Sequence, residues 1–272
     1  MLKIKAHGLI HKFDFTLFNF EFESNTMKHS CTKIKILLCF CTFLMAAFFS
    51  GAKDAFAFRV TPMVHDLSPA GNGSTVTLRI ENTTGDRLPV ELYAQARTIK
   101  KDGSADLSPA DNDFLIFPPQ VVVEPNTIQS VRVQYIGNPD IETSKGYVVN
   151  VAQLPVGFDA EDQSGVQFTF NFGVSLNVVP PGAEPDVSVS GSRVINGEVE
   201  VEVVNTGAAY TRLNNGRWIY RYGGSEHVLE DEALREAIGQ PLIQPQTTRV
   251  IRLPLPPGYG KGQEINVAYR AD

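Results

Sequence analysis

The sequence predicts an all-β protein in which an immunoglobulin-like β-sandwich is followed by a smaller β domain. Short runs with a period of two, or with a continuous apolar face, recur after residue 57, and such runs are typical of strands. Clusters of Gly, Pro, Asn and Asp divide them at intervals of roughly 8 to 12 residues, as in sandwich folds. One short segment, residues 230–238, has helical spacing instead.

Residues 1–57 have the features of a leader that is removed from the mature chain. Met27 is followed by three lysines, by an apolar run at residues 36–49 and by Ala-Phe-Ala at residues 55–57. This order is typical of a secretory signal peptide with its cleavage site. The run is shorter than the roughly 20 residues of a membrane-spanning helix. We therefore expect export to the periplasm and cleavage near Ala57, whether Met1 or Met27 is the true start.

The composition after the leader excludes several kinds of function. All three cysteines lie within the first 57 residues, so the mature chain has no disulfide or thiolate site. The remaining 17 Lys and Arg against 26 Asp and Glu give a net charge of −9. A nucleic-acid partner is disfavoured, because phosphate binding needs a basic surface. No later apolar run is long enough to span a membrane.

Residues 58–180 are expected to form the amino-terminal immunoglobulin-like domain. Turn-rich clusters separate four runs that are rich in β-branched and aromatic residues. The predicted strands are residues 76–80, 90–96, 131–135 and 147–151.

A fifth predicted strand, residues 166–178, has the most regular pattern in the chain. Every second residue is apolar over thirteen positions, which predicts a strand with one apolar face. Pro180 and Pro181 end it, because proline has no N–H to donate. The pattern alone allows either a core strand or a strand at a sheet margin that offers its apolar face to a partner. The apolar positions are Val166, Phe168, Phe170, Phe172, Val174, Leu176 and Val178.

Residues 181–272 are expected to form the smaller carboxy-terminal β domain, after a proline-rich hinge at residues 180–185. Acidic residues at 230–232 suit the first turn of the predicted helix, because they complement the helix dipole. The predicted strands are residues 187–189, 199–204, 217–222, 249–253 and 265–269.

No constellation of residues predicts catalysis, and we expect no catalytic residue, metal or cofactor. After the leader only His65 and His227 remain, and their spacing is not that of metal ligands. His65 lies beside Asp66, but neighbours on a strand point to opposite faces. Ser74 and Ser225 lack the sequence context of a nucleophile elbow.

Trp218, Tyr220 and Tyr222 alternate in a predicted strand of the second domain. Aromatic residues at this spacing favour a core position, although they also suit a platform that stacks on sugars. The alternative function is therefore an exported two-domain β protein that binds a carbohydrate or a surface ligand with its second domain.

The order of several segments resembles the PapD-like family of periplasmic chaperones for pilus and fimbrial subunits. The resemblance extends over nearly all of residues 58–272, and it is looser in the second domain than in the first. The resemblance implies two immunoglobulin-like domains set at an angle. It also implies a chaperone that stabilises subunits by donor-strand complementation and delivers them to an outer-membrane usher. The segments are residues 60–62, 76–82, 117–119, 123–125, 129–133, 147–151, 154–155 and the alternating strand with its prolines.

The resemblance also implies the subunit-binding residues. Val166, Phe168 and Phe170 take the positions that enter the subunit's pockets, and Phe172 and Val174 continue the row. A strand of this kind at a solvent-facing edge invites aggregation unless it has a partner. The sequence leaves the oligomeric state of the free protein open. The resemblance adds the hypothesis of a self-capping dimer through these edges, which light scattering would test.

Members of the family usually bind the subunit's carboxy-terminal carboxylate with an arginine in the first strand and a lysine near the end of the donor strand. Val64 and Ser175 occupy those positions here, and neither can pair with a carboxylate. The anchor is left open, with Arg59, His65 and Lys145 as candidates.

Overall fold

The computed structural model describes residues 58–155 and 169–271, and within them nearly all regular structure is β-strand. The predicted all-β class is confirmed. The strands of the first half are β1 (Arg59–Thr61), β2 (Val64–Leu67), β3 (Thr75–Glu81), β4 (Leu88–Ile99), β5 (Ala105–Pro109), β6 (Phe114–Phe117), β7 (Gln120–Val123), β8 (Ile128–Tyr135), β9 (Lys145–Gln153) and β10 (Asn171–Val178).

These ten strands form two sheets that enclose one core. The four-stranded sheet has the order β1-β3-β8-β6, and the six-stranded sheet has the order β2-β10-β9-β4-β5 with β7 also paired to β4. All pairs are antiparallel except β2 with β10, which run parallel. The apolar positions predicted from the period of two face inward. In β3, Val76, Leu78 and Ile80 are buried while Thr77 and Arg79 are exposed.

The second half builds its own core around Leu213, Trp218 and Tyr220. The predicted helix is confirmed to within a residue at each end, and all five predicted strands are present. The elements are β11 (Val187–Ile195), β12 (Glu198–Asn205), β13 (Thr211–Arg212), β14 (Arg217–Tyr222), β15 (Ser225–Leu229), α1 (Asp231–Ala237), β16 (Leu242–Ile243), β17 (Thr247–Pro254) and β18 (Ile265–Arg270), in sheets β11-β12-β17, β13-β16 and β15-β14-β18.

Hydrogen bonds connect the two cores through the hairpin of β4 and β5. The Gln244 side chain accepts from the Ile99 N–H at 2.7 Å and donates to the Arg97 carbonyl at 2.8 Å. At the hairpin tip, the Val250 N–H donates to the Lys101 carbonyl at 2.7 Å. Both ends of this contact involve backbone groups of the hairpin, so the second core holds the hairpin at two places.

No helix within residues 58–155 and 169–271 combines the length and the hydrophobicity needed to cross a bilayer.

Gly103, at the tip of the β4–β5 hairpin, provides a test of this contact. Its φ is +93°, and an added Cβ would lie 2.2 Å from Nη2 of Arg249, a side chain that is only 3% exposed. Arg249 cannot easily move, because Nη2 donates to the Gln240 carbonyl at 3.0 Å. We expect Gly103→Ala to lower the free energy of unfolding by about 2 to 4 kcal/mol in urea denaturation, from backbone strain and steric overlap together.

Gly262→Ala is the matched control, because Gly262 has a similar φ of +89° and open space where the Cβ would lie. It should show the backbone cost alone, about 1 kcal/mol. Equal losses in the two variants would mean that the hairpin tip is not held against Arg249.

Candidate functional site

The first half of β10 is an open sheet edge. β9 pairs with β10 over its whole length, whereas β2 pairs only with residues 175–178. Among the described residues, residues 171–174 therefore have a neighbouring strand on one side only. An edge of this kind is a template on which another strand can pair.

The unpaired backbone groups of this edge follow from the ladder geometry. The Ser175 N–H donates to the Met63 carbonyl at 2.9 Å, on the side of β2. Successive residues of a strand direct their N–H and C=O groups to alternate sides. Gly173 and Asn171 therefore present these groups on the same side as Ser175, where β2 no longer covers them. Both residues are exposed, so either water or an added strand can pair with these groups.

Exposed apolar side chains lie at both ends of the open edge. Phe170 is 40% exposed at its start, and Met63 and Val64 are 42% and 45% exposed at its end. Phe170 is fixed in place because its carbonyl accepts from the Gln153 N–H at 2.9 Å. The edge thus combines unpaired backbone groups with an apolar surface, which is the combination that strand addition uses.

The predicted subunit-contact residues differ in exposure along β10. Val166 and Phe168 lie outside the described residues. Phe170 is exposed, Phe172 is half-buried, and Val174 has no exposed surface. The Phe172 ring packs edge-to-face on Phe58 with centroids 4.7 Å apart. Val174 packs wholly within the chain's own core, so its side chain does not belong to the exposed row.

Val64 and Ser175, the positions where the resemblance places basic residues, lie directly opposite each other on β2 and β10. The three candidate anchors lie elsewhere. Arg59 pairs with Glu81 of β3 at 3.1 Å, in the other sheet. His65 and Lys145 lie opposite Leu176 and Val178.

The cation that reaches Ser175 is Arg97 of β4, which the sequence analysis missed. Its Nη1 donates to Ser175 Oγ at 3.1 Å, and its Nη2 donates to Asn177 Oδ1 at 3.1 Å. Arg97 crosses β9 at Gly146, its partner in the ladder. An added Cβ at Gly146 would lie 3.4 Å from both Nε and Nη2 of Arg97 and 3.3 Å from Nε2 of Gln244, so these two side chains pack closely against Gly146.

Asn177 and Tyr210 connect this arginine to the second core. Asn177 is 1% exposed, and its Nδ2 donates to Asp66 Oδ1 at 2.9 Å. The Tyr210 hydroxyl donates to the same oxygen at 2.6 Å. Burial raises the pKa of the Tyr210 hydroxyl well above its usual value, and the hydrogen bond to Asp66 raises it further. The hydroxyl therefore stays protonated and remains a donor.

The guanidinium of Arg97 is half-buried and lies near that of Arg212 on β13. Burial is the main cause that lowers the pKa of Arg97, and the positive charge of Arg212 lowers it further. Arg97 Nε is buried without a hydrogen-bond partner. Neither arginine forms an ion pair with a residue in the described part of the chain.

The aromatic row of the second domain is part of its core. Trp218, Tyr220 and Tyr222 are 0%, 1% and 8% exposed. Trp218 Nε1 donates to the Leu213 carbonyl at 2.9 Å, and the Tyr220 hydroxyl donates to the Pro254 carbonyl at 3.1 Å. The sugar-stacking platform is therefore wrong and the core interpretation is confirmed, because these rings have no face to offer a ligand.

Comparison with known families gives one match, to the pili and flagellar-assembly chaperone PapD N-terminal domain over residues 57–184. None of the curated protein sequences matches the chain.

Solved structures with a similar fold include several fimbrial chaperones. The class 5 fimbriae chaperone CfaA is 12% identical with a TM-score of 0.52, over 78% of this chain and 98% of that one. A chain from a chaperone–tip adhesin complex of CFA/I fimbriae is 13% identical with a TM-score of 0.51 and the same coverage. A chain from the complex of the Salmonella enterica SafA pilin with the SafB chaperone is 16% identical with a TM-score of 0.50, over 75% and 86%. These likenesses identify the two-domain β-sandwich fold.

Phe170 and Phe172 should differ in their contribution to stability. Phe172→Ala removes a ring that packs on Phe58 and should lower the free energy of unfolding by about 2 kcal/mol, less than for a fully buried ring. Phe170→Ala removes an exposed ring and should cost less than about 1 kcal/mol. Urea denaturation measures both. A larger loss for Phe170→Ala would place that ring in the chain's own core.

Proposed function

We propose, since residues 57–184 make this chain a member of the PapD-like chaperone family, that it binds pilus or fimbrial subunits through the open edge of β10 and delivers them for assembly. The observation that carries the proposal is the unequal coverage of β10. Within residues 58–155 and 169–271, β2 leaves residues 171–174 without a second neighbouring strand. The likeness to structures of chaperones with a pilin or a tip adhesin supports it.

The client of such an edge is a β-sandwich that lacks one strand. A sandwich of this kind exposes an apolar groove between two unpaired strand edges and aggregates when left alone. A chaperone that lends a strand supplies backbone hydrogen bonds together with apolar side chains at alternate positions. This is donor-strand complementation.

Residues 166–174 would supply both parts of this interaction. In the sequence, Val166, Phe168 and Phe170 are apolar at alternate positions. The backbone of residues 171–174 forms the open edge. Burying a phenylalanine ring fully contributes roughly 1.5 to 3 kcal/mol, so two rings and a valine form a substantial binding surface. Phe172 continues the row with the part of its ring that Phe58 leaves uncovered.

The proposed function also includes a location in the periplasm and an outer-membrane usher as the receiving partner. The signal peptide pattern at residues 27–57 directs the chain to the periplasm, where cleavage near Ala57 releases a mature chain that begins near Phe58. An outer-membrane usher is the partner that would receive the bound subunit.

Phe168→Arg combined with Phe170→Arg should abolish client binding and leave the chaperone folded. Charged side chains cannot enter an apolar groove, so we expect at least a tenfold loss of a co-produced pilus subunit recovered from the periplasm by pull-down. Phe117→Arg is the matched control, because Phe117 is 70% exposed on β6 in the other sheet, and it should leave recovery unchanged.

Unchanged recovery with the folded double variant would refute strand lending. Loss of folding, seen by circular dichroism, would instead mean that the two rings belong to the chain's own core, because an unpaired buried charge costs several kcal/mol.

Asn171→Pro tests the backbone part of the interaction separately from the side chains. Asn171 is exposed, and its N–H lies on the open side of β10, so proline removes a donor that only an added strand would use. We expect subunit recovery to fall severalfold while the free energy of unfolding changes by less than about 1 kcal/mol. Recovery equal to that of Asn171→Ala, the matched control, would show that the client does not pair with this edge.

A further inference from the structure

Gly173 lies inside β10, in the half of the strand that β2 does not cover. Glycine weakens the interior of a strand, because it has no side chain to pack. The backbone at this position does not require glycine, since the φ of Gly173 lies outside the left-handed region. A strand glycine of this kind often marks a place where another group approaches closely.

The missing side chain of Gly173 leaves a gap that an apolar group borders. Gly173 is exposed, on the same face of the sheet as Ser175. An added Cβ at Gly173 would lie 3.0 Å from Cγ1 of Val148 on β9. Val148 is only partly buried. One methyl group of Val148 therefore lies against the gap, on the side away from the open edge.

Val64 borders the same gap from a second side. It lies opposite Ser175 in the ladder of β2 with β10, and it is 45% exposed. A strand added beside residues 171–174 would continue the line of β2. Its residue opposite Gly173 would stand two positions from Val64, about 7 Å along the strand and on the same face. Both neighbours of the gap are thus apolar.

The distances across the gap set the size of the side chain that fills it. Opposite residues on neighbouring strands have Cβ atoms about 5 Å apart. The Val148 methyl group lies 3.0 Å beyond the Gly173 position, so a partner side chain starts up to about 8 Å from it. Apolar contact needs an approach to about 4 Å, so the side chain must extend about 4 Å beyond its own Cβ. Valine and threonine are too short for this, whereas an aromatic ring reaches that far.

We infer that Gly173 determines which client strands the open edge prefers, and that the preferred strand carries an aromatic side chain opposite Gly173 on the exposed face of the sheet. The inference rests on the proposed function, because it needs a strand paired with residues 171–174. The ring covers Val148 and Val64 and supplies the packing that glycine lacks. Aromatic side chains on a neighbouring strand rescue edge glycines of β-sheets in this way.

The test measures the affinity of short peptides for the mature chain by fluorescence anisotropy. The parent is an eight-residue peptide of alternating valine and threonine, acetylated and amidated so that neither end is charged. Its threonines lie on one face, and each is replaced in turn by phenylalanine. We expect the phenylalanine peptide whose ring lies opposite Gly173 to bind about fivefold more tightly than the parent, as a favourable cross-strand pair provides.

Three variants make the comparison specific. Gly173→Thr fills the gap and should reduce the ratio of the two affinities to about one. Asn171→Thr is the matched control, because it places the same side chain two residues away on the same exposed face, and it should leave the ratio unchanged. Val148→Ala removes the methyl groups beside the gap and should lower the ratio without filling the gap.

Equal affinities of the parent and of every phenylalanine peptide would overturn the inference and leave strand pairing intact. Failure of all the peptides to bind would overturn the proposed function as well. A ratio that persists in Gly173→Thr would overturn the inference, because the ring would then bind elsewhere. A lysine peptide that gains as much as the phenylalanine peptide would overturn the assignment to an aromatic ring. If Gly173→Thr does not fold, Val148→Ala decides, and an unchanged ratio in that variant would overturn the inference.

Discussion

The unequal lengths of the two strands beside β10 are the constraint on which the site depends. β9 covers all of β10, and β2 covers only its second half, because β2 is four residues long and its register begins with Val64 opposite Ser175. The second half of β10 is therefore fixed inside the sandwich, with Leu176 and Val178 fully buried. This fixed half holds the open half in position, so the open edge is preorganised.

The fold could be predicted from the sequence wherever a strand has one buried and one solvated face. β3 and β12 show this pattern and were found to within one residue at each end. β5 was missed because all five of its residues are exposed, which leaves no apolar period to detect. β13 and β16 were missed because two residues cannot show a period.

The candidate site was predictable only in part, for a related reason. The period of residues 166–178 predicts a strand with one apolar face. It does not predict where along the strand this face changes from exposed to buried, because that point is set by the contact with Phe58 and by the start of β2. The contact of Arg97 with Ser175 could not be found, because the arginine crosses β9 and Ser175 lies 78 residues further along the chain. Spacing along the sequence carries no signal for a side chain that crosses a neighbouring strand.

The two hydrogen bonds from Gln244 to the β4 backbone limit how the domains of this chain can be exchanged with those of a relative. This one side chain from the second core bonds the carbonyl of Arg97 and the N–H of Ile99, immediately beside the guanidinium. A chimera that joins the first domain to the second domain of a relative would lose this support unless the incoming loop carried a comparable amide. A domain exchange in this chain therefore has to keep the segment around Gln244 together with the first domain.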